Sequence, residues 1–369
     1  MINNLHKVTM KNTAAICSVS ELSPPLMGGD EGEGEKSYMF TPTLTLPHQG
    51  GRKKRRLLRH FMPRNDNLIG FSPIIILFLF ISLIMSSCQK KAEMVAGGKK
   101  LKVVATLFPL YDFARNIGKE KTDVTLLLPP GVEPHAFEPR PGDVLKINEA
   151  DIFIYTGRFM EPWVEDMLKG IGSQGPLIID SSKVIRLTEE AGKMDPHIWL
   201  DFSNAKKMVV NILDGFLKKD LANKDYYLKN VEEYKKKLDE LDKKFKDSLR
   251  SCQKDIIIHG GHFAFGYLSK RYNLKYLSAY KGFSPDAEPT PRNLIELSKK
   301  LKEHDIKYIF YEELISPKVS EAIARETGAK LLMLHGAHNV TKDEMDRGVT
   351  FISLMEQNLN NLKVGLECQ

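Results

Sequence analysis

The stretch that decides the fold reads KDYYLKNVEEYKKKLDELDKKFKDSL and spans Lys224–Leu249. Its apolar residues recur every three or four positions, so a helix would present them on one face: Leu228, Val231, Tyr234, Leu238, Leu241, Phe245 and Leu249. A helix of this length extends for roughly 40 Å. Charged helices of this kind are often solvated faces or coiled-coil strands. We predict instead a strut packed along protein, because strand and helix patterns end before it and resume after it.

Two similar halves flank this helix. In the first half, apolar runs predict strands at 101–107, 123–128, 151–155 and 177–180, and amphipathic segments predict helices at 110–117, 144–149, 162–168 and 203–218. In the second half, strands are predicted at 255–258, 274–278, 307–310 and 330–334, and helices at 263–271, 291–303, 317–327 and 346–362. Such alternation indicates mostly parallel sheets covered on both faces. We therefore predict an α/β fold with two lobes, 101–222 and 251–369, each with a mostly parallel sheet flanked by helices, joined by one long rigid helix, 223–250.

The charge of the chain is unevenly distributed. Of its 369 residues, 54 are Lys or Arg and 47 are Asp or Glu, which gives a net charge of +7. Ten of the basic and six of the acidic residues lie in the first 87, which leaves 44 against 41, or +3, for the remainder. The basicity therefore belongs mainly to the N-terminal region, and nothing in the folded part indicates nucleic-acid binding.

The N-terminal region has the pattern of an exported lipoprotein. Residues 1–61 lack periodicity and contain low-complexity runs, so we interpret them as a disordered or untranslated leader, with Met62 as the start. Residues 62–87 contain a long apolar run that ends in Ser86 and Ser87 just before Cys88, as in a lipoprotein signal peptide. The match to a bacterial lipobox departs at Met85, where Leu is usual, and the alternative is an uncleaved signal-anchor helix. Residues 88–100 then form a tether to the membrane.

The cysteines limit the disulfides. Cys17 lies in the leader and Cys88 at the predicted lipidation site, so the folded part holds Cys252 and Cys368. At most one disulfide can therefore form there, in a compartment that permits it.

Histidines cluster at the predicted carboxyl ends of the strands, where open parallel sheets bind ligands. His135 and His262 follow strands of the first and second lobes, His335 follows the last strand, and His197 lies in a loop that leads into a helix. A single histidine is more often a hydrogen-bonded structural residue than a ligand; the common placement of these four favours a metal site. Of the remaining histidines of the folded part, His259 and His338 are alternatives or outer-shell groups, and His304 is interpreted as a surface residue.

Three motifs together resemble the solute-binding proteins of zinc and manganese ABC importers. They are GVEPHAFEP at 131–139, DPHIWLD at 195–201 and HFAFGY at 262–267. The resemblance covers about residues 100–363 and implies that His135, His197 and His262 bind the metal. The fourth ligand in that family is usually a carboxylate after the last strand, where this chain has His335, which is therefore the predicted fourth ligand. Many zinc-binding members also carry a His-rich loop before the second motif, and residues 181–194 contain no histidine.

The resemblance implies a receptor that captures Zn²⁺ between two lobes and delivers it to an ABC permease. Mn²⁺ is the alternative cargo, and the expected protein is a monomeric lipoprotein with no enzymatic role. Glu133, Asp195, Asp201 and Glu313 are the predicted partners for the second ring nitrogen of the ligands. The competing classes are a secreted zinc-dependent hydrolase and an adhesin or structural lipoprotein. The sequence contains neither a HExxH nor a Gly-x-Ser-x-Gly motif.

Overall fold

Four parallel strands form the sheet of the first lobe, in the order β2-β1-β3-β4. The elements of this lobe are β1 (Leu101–Ala105), α1 (Phe108–Gly118), β2 (Thr122–Leu126), α2 (Pro141–Asn148), β3 (Ile152–Tyr155), α3 (Trp163–Lys169), β4 (Leu177–Asp180), the hairpin strands β5 (Glu189–Glu190) and β6 (Lys193–Met194), and α4 (Phe202–Lys219). The connections change direction between β1 and β3. Loops at the carboxyl ends of these strands therefore meet at one edge of the sheet.

The long helix α5 (Lys224–Leu249) forms over the whole predicted stretch. Its buried residues include Tyr227, Val231, Leu238 and Phe245, which lie on one face and join the main hydrophobic core. That face packs against α1 and α4 of the first lobe and against the last helix of the second. The helix is therefore the predicted strut, shared by both lobes.

The second lobe repeats the architecture of the first, with parallel strands in the order β10-β9-β7-β8. Its elements are β7 (Ile256–His259), α6 (Gly266–Arg271), β8 (Lys275–Ser278), α7 (Pro291–Glu303), β9 (Tyr308–Tyr311), α8 (Lys318–Thr327), β10 (Lys330–Met333), α9 (Lys342–Asp346) and α10 (Phe351–Gly365). Here the connections change direction between β7 and β9. The predicted α/β fold with two mostly parallel sheets is confirmed.

Two predicted helices of the second lobe differ from the structure by more than one residue. The helix expected from residue 263 begins at Gly266, because Phe263 N donates to Gly282 O at 2.9 Å and Ala264 N to His262 O at 2.9 Å. These bonds keep the His262 segment in a loop. The helix expected at 346–362 is two helices, separated by a turn at Gly348, which has φ of +69°, and the second begins where the Thr350 side chain accepts from Ser353 N.

A disulfide joins Cys252 to Cys368. The one disulfide that the sequence allows in the folded part is therefore formed. It ties the start of the second lobe to the C-terminal end, across a sequence separation of 116 residues.

The structure is a computed structural model that describes residues 99–172, 174–190, 192–280, 282–285 and 289–369. All of them belong to one compact unit, Gln89–Gln369. Within these ranges, no helix combines the length and apolar character needed to span a bilayer. The predicted leader 1–61, the signal segment 62–87, Cys88 and the first ten residues of the tether that follow it lie outside the described residues.

Candidate metal centre

Four histidines come together where the carboxyl ends of the two sheets face each other: His135, His197, His262 and His338. The first lies in the β2–α2 loop. The second directly precedes the 3₁₀ turn Ile198–Leu200, which leads into α4. The third lies in the β7–α6 loop and the fourth in the β10–α9 loop. Each lobe thus contributes two imidazoles, as the sequence predicts, although the fourth residue differs.

The imidazole nitrogens of this group are close enough to share one ion. One ring nitrogen from each of the four residues lies within 4.8 Å of the others. The Nε2 atoms of His197 and His135 are 3.4 Å apart, and those of His262 and His197 are 3.2 Å apart. Since these Nε2 atoms lie close together, an ion bound here would contact the Nε2 atoms. Each neutral imidazole would offer it one lone pair.

Three of the four imidazoles are held from behind by carboxylates. The Nδ1 atom of His197 lies 2.7 Å from Asp195 Oδ1, that of His262 lies 2.6 Å from Glu312 Oε2, and that of His338 lies 3.1 Å from Glu313 Oε1. Each carboxylate contacts its ring at Nδ1, so Nε2 is the ring nitrogen that faces the other histidines. Carboxylate–histidine pairs of this kind orient metal ligands in proteins.

Glu312 and Glu313 follow β9 directly and serve different ligand loops. Glu312 contacts the loop of His262, and Glu313 contacts the loop of His338. Glu312 also accepts from His262 N at 2.9 Å, and Glu313 accepts from Gly336 N at 2.6 Å. One strand end therefore holds the backbone and the ring of both second-lobe histidines in place.

Burial favours the neutral form of three of the imidazoles. Desolvation lowers the pKa of His262 to about 4 and holds the pKa values of His135 and His197 well below the usual range, and the neighbouring imidazoles add to the shift of the last two. A neutral imidazole is the form that binds metals.

The site has the polar character of a cation-binding pocket. Among the described residues, the buried Nε2 of His338 has no hydrogen-bond partner. Burial raises the pKa of Asp195 to about 8 and that of Glu312 to about 7. A cation among the four imidazoles would satisfy the nitrogen and supply the positive charge that these buried carboxyls lack. The donor set and its surroundings therefore fit a divalent metal ion.

His335 lies outside this group, which corrects its predicted place in the cleft. Its Nδ1 accepts from Ala337 N at 2.9 Å and lies 3.5 Å from Glu313, and its Nε2 lies 3.7 Å from Glu344 of α9. The ring thus points towards α9. Burial opposes a charge on this ring, but the Glu313 and Glu344 carboxylates outweigh it and raise the pKa of His335.

The turn after β10 explains the difference. Ala337 has φ of +57°, and the chain reverses there. A Cβ at Gly336 would lie 2.3 Å from the ring of His338, so the close approach of the two residues requires glycine. As a result the side chain three residues after the predicted position, that of His338, points into the cleft. From the sequence alone, His338 is only an alternative to His335.

Two of the four predicted carboxylate partners, Asp195 and Glu313, contact histidines of the group. Asp201 instead accepts from Ser203 N at the start of α4 and pairs with Arg271 at 2.6 Å. Glu133 accepts from Ala136 N at 2.9 Å and so stabilises its own loop. Glu312 was missed; two adjacent carboxylates after a strand are the signal that could have found it.

A family comparison identifies the class to which this geometry belongs. The family model "Zinc-uptake complex component A periplasmic" (ZnuA) matches residues 103–365. The chain belongs to the ZnuA family. The match includes both lobes and the four histidines of the candidate centre, so the family resemblance read from the three motifs is confirmed.

Individual relatives agree with this assignment. The high-affinity zinc uptake system protein ZnuA of Bacillus subtilis (strain 168) is 39% identical over 302 residues, which cover 77% of this chain and 94% of that protein. The crystal structure of the metal-dependent lipoprotein YcdH from Bacillus subtilis is similar with a TM-score of 0.66 and 43% identity, covering 72% of this chain and 100% of the other. The Zn(II)-bound ZnuA-like domain of AdcA from Streptococcus pneumoniae gives a TM-score of 0.65 and 34% identity, covering 73% and 99%.

Membership of the ZnuA family also places the chain among solute-binding receptors of metal importers, which act outside the cytoplasm. It favours the predicted receptor over the secreted zinc-dependent hydrolase that the sequence left open.

The mouth of the centre lies beside His135. A cavity of about 530 Å³ opens there and is lined mainly by Phe159, Met194, Pro196 and Phe283. Three of the four imidazoles are buried behind it, and His135 is half-buried. The lining also includes Lys193 and Ser284, and His135 is the one imidazole of the group that contributes to it.

Proposed function

We propose that the protein captures Zn²⁺ outside the cytoplasm, binds it through His135, His197, His262 and His338, and delivers it to the permease of an ABC importer. The observation that carries this proposal is the convergence of four buried or half-buried imidazoles from both lobes on one point. Zinc accepts four nitrogen ligands in tetrahedral geometry.

The protein's own groups prepare this site before the ion arrives. Asp195 and Glu313 lie within hydrogen-bond distance of Nδ1 of His197 and His338, and a Glu312 oxygen lies 2.6 Å from Nδ1 of His262, an arrangement that favours the tautomer with a free lone pair on Nε2. The lowered pKa values of His135, His197 and His262 mean that few protons have to be displaced from these three rings near neutral pH. Capture is then an exchange of the ion's water ligands for four oriented nitrogens.

The donor set supports zinc over manganese. The four ligands are neutral nitrogens, and the nearby carboxylates are engaged with the Nδ1 atoms behind the rings. Manganese prefers anionic oxygen donors and binds nitrogen sites more weakly than zinc in the Irving–Williams order. Relatives named for zinc uptake and zinc binding support the same choice.

Attachment to the membrane belongs to this proposal. A lipid on Cys88 would hold a monomeric receptor near its permease, with residues 89–100 as the tether. Membrane anchoring is strong when two or more acyl chains are attached. Replacing Cys88 with Ala is expected to abolish metabolic labelling with a fatty acid and to release the protein from the membrane fraction; acylation that persists in the variant would contradict the assignment.

The central test is the metal content and affinity of protein comprising Gln89–Gln369. We expect one Zn²⁺ per chain by mass spectrometry of the native protein, tight binding in competition with a chelating dye, and much weaker binding of Mn²⁺. Metal-dependent hydrolysis of ester or peptide substrates would favour the hydrolase instead. Absence of zinc binding, or preference for manganese, would overturn the proposal.

A further inference from the structure

Trp199 connects the two lobes at the metal centre. It follows His197 by two residues, and its side chain is fully buried. The indole Nε1–H donates to the carbonyl oxygen of Gly336 at 2.8 Å, across 137 residues of sequence. Its ring centroid lies 5.6 Å from that of His197 and 5.3 Å from that of His338, in edge-on contacts. The same side chain thus touches one imidazole from each lobe.

Gly336 is held from both sides. Its N–H donates to Glu313 of the second lobe, and its carbonyl accepts from Trp199 of the first. Glu313 also accepts from the ring of His338, two residues further along. The position of this glycine therefore contributes to where the imidazole of His338 lies relative to the first lobe.

The chain after His338 is already attached to the first lobe by other bonds. Phe108 N donates to His338 O at 3.2 Å, and the Asn339 side chain donates to Pro129 O at 2.7 Å. Trp199 supplies the corresponding attachment before His338. Fixing a ligand's backbone on both sides restricts its imidazole to the orientation that the other three ligands require.

We infer that Trp199 is a positioning residue for metal capture, which acts through Gly336 to place His338 against the histidines of the first lobe. This inference rests on the proposed function. It assigns to the tryptophan a part in zinc affinity in addition to its contribution to the core, because its N–H is a directional donor and an equally large apolar ring would lack that donor.

The test is a double-mutant cycle of Trp199→Phe and His338→Ala, measured as zinc Kd. Trp199→Phe keeps an aromatic ring and removes the N–H. In the parent it is expected to weaken zinc binding about 10- to 100-fold, the cost of losing an outer partner of a ligand. In the His338→Ala background the same substitution is expected to change Kd by less than about twofold, since there is no imidazole left to place.

Trp163→Phe is the matched control. Trp163 is the other tryptophan of the chain and packs against Phe137 and Phe153 of the first lobe. The substitution Trp163→Phe is expected to leave the zinc Kd unchanged. Equal losses from Trp199→Phe in both backgrounds, or no loss in either, would overturn the inference while leaving the zinc receptor intact. A parent protein that does not bind zinc would instead refute the proposed function.

A second measurement covers the case in which Trp199→Phe does not fold. Trp163→Phe leaves Trp199 as the chain's one indole, whose N–H signal can be followed by NMR. We expect hydrogen exchange of this N–H to be slowed by at least tenfold on adding zinc, because the ion locks both ends of the bond. Exchange as fast with zinc as in the unfolded chain would overturn the inference.

Discussion

Replacing His338 with Ala is expected to weaken zinc binding by roughly 10²–10³-fold. Zinc sites with four protein ligands have apparent binding free energies of about 10–16 kcal/mol. An equal share for each ligand is about 2.5–4 kcal/mol, and 1.4 kcal/mol corresponds to a factor of ten in Kd. The fold should survive, because Gly336 N still bonds Glu313 when the ring is removed. His338→Ala therefore isolates the loss of one ligand.

His335→Ala is the matched comparison, since the two histidines lie three residues apart in the same loop. The ring of His335 is fully buried, and its Nδ1 accepts from Ala337 N. Removing it leaves a buried N–H unpaired, which costs about 1–3 kcal/mol of stability. The backbone of His335 remains bonded to the side chain of Asn358. We therefore expect a lower unfolding temperature, with a change in zinc Kd of less than about tenfold.

The assay is competition against a chelating dye of known zinc affinity, with circular dichroism of the metal-free proteins as the control for folding. If folded His338→Ala protein binds zinc as tightly as the parent, the fourth-ligand assignment is refuted. A loss with His335→Ala as large as that with His338→Ala would restore the ligand predicted from sequence. His338→Asp adds an anionic oxygen donor and should raise manganese affinity relative to zinc.

Three further predictions follow from the charges and connections of the fold. Burial raises the pKa of Asp195 to about 8 and that of Glu312 to about 7 in the metal-free protein, so zinc binding should release protons from these carboxyls and zinc Kd should rise as the pH falls from about 8 towards 6; a Kd that stays constant over this range would contradict this. Replacing Cys252 and Cys368 with Ser removes a bond that closes a loop with a sequence separation of 116 residues. In the chain-entropy model this should lower the free energy of unfolding by about 5 kcal/mol, as measured by urea denaturation. Two freely alkylated thiols in the native protein, detected by intact-mass analysis, would exclude the bond. Metal binding should move the lobes little, because bending α5 would break its backbone hydrogen bonds. The measurement is X-ray scattering of the metal-free and zinc-bound protein. A difference between the two profiles as large as that of a hinged sugar receptor would refute the prediction.

The helices and strands with a regular apolar pattern could be predicted from the sequence, because such a pattern depends only on residues close together in the chain. The helix Lys224–Leu249, the strand Leu177–Asp180 and the helix Pro291–Glu303 have the predicted boundaries, since each combines a regular apolar pattern with a clear start or stop. The alternation of such elements was sufficient to predict two parallel sheets. It also placed His135, His197 and His262 at the edge where the lobes meet.

Only the tertiary structure decided which histidine completes the group. Sequence position put His335 directly after a strand, but the direction of a side chain in a loop depends on backbone angles set by distant contacts. Here Glu313 and Trp199 hold the peptide of Gly336 from opposite lobes, and the chain turns so that His338 points into the cleft. Because these bonds join residues far apart in sequence, no local pattern could have indicated them.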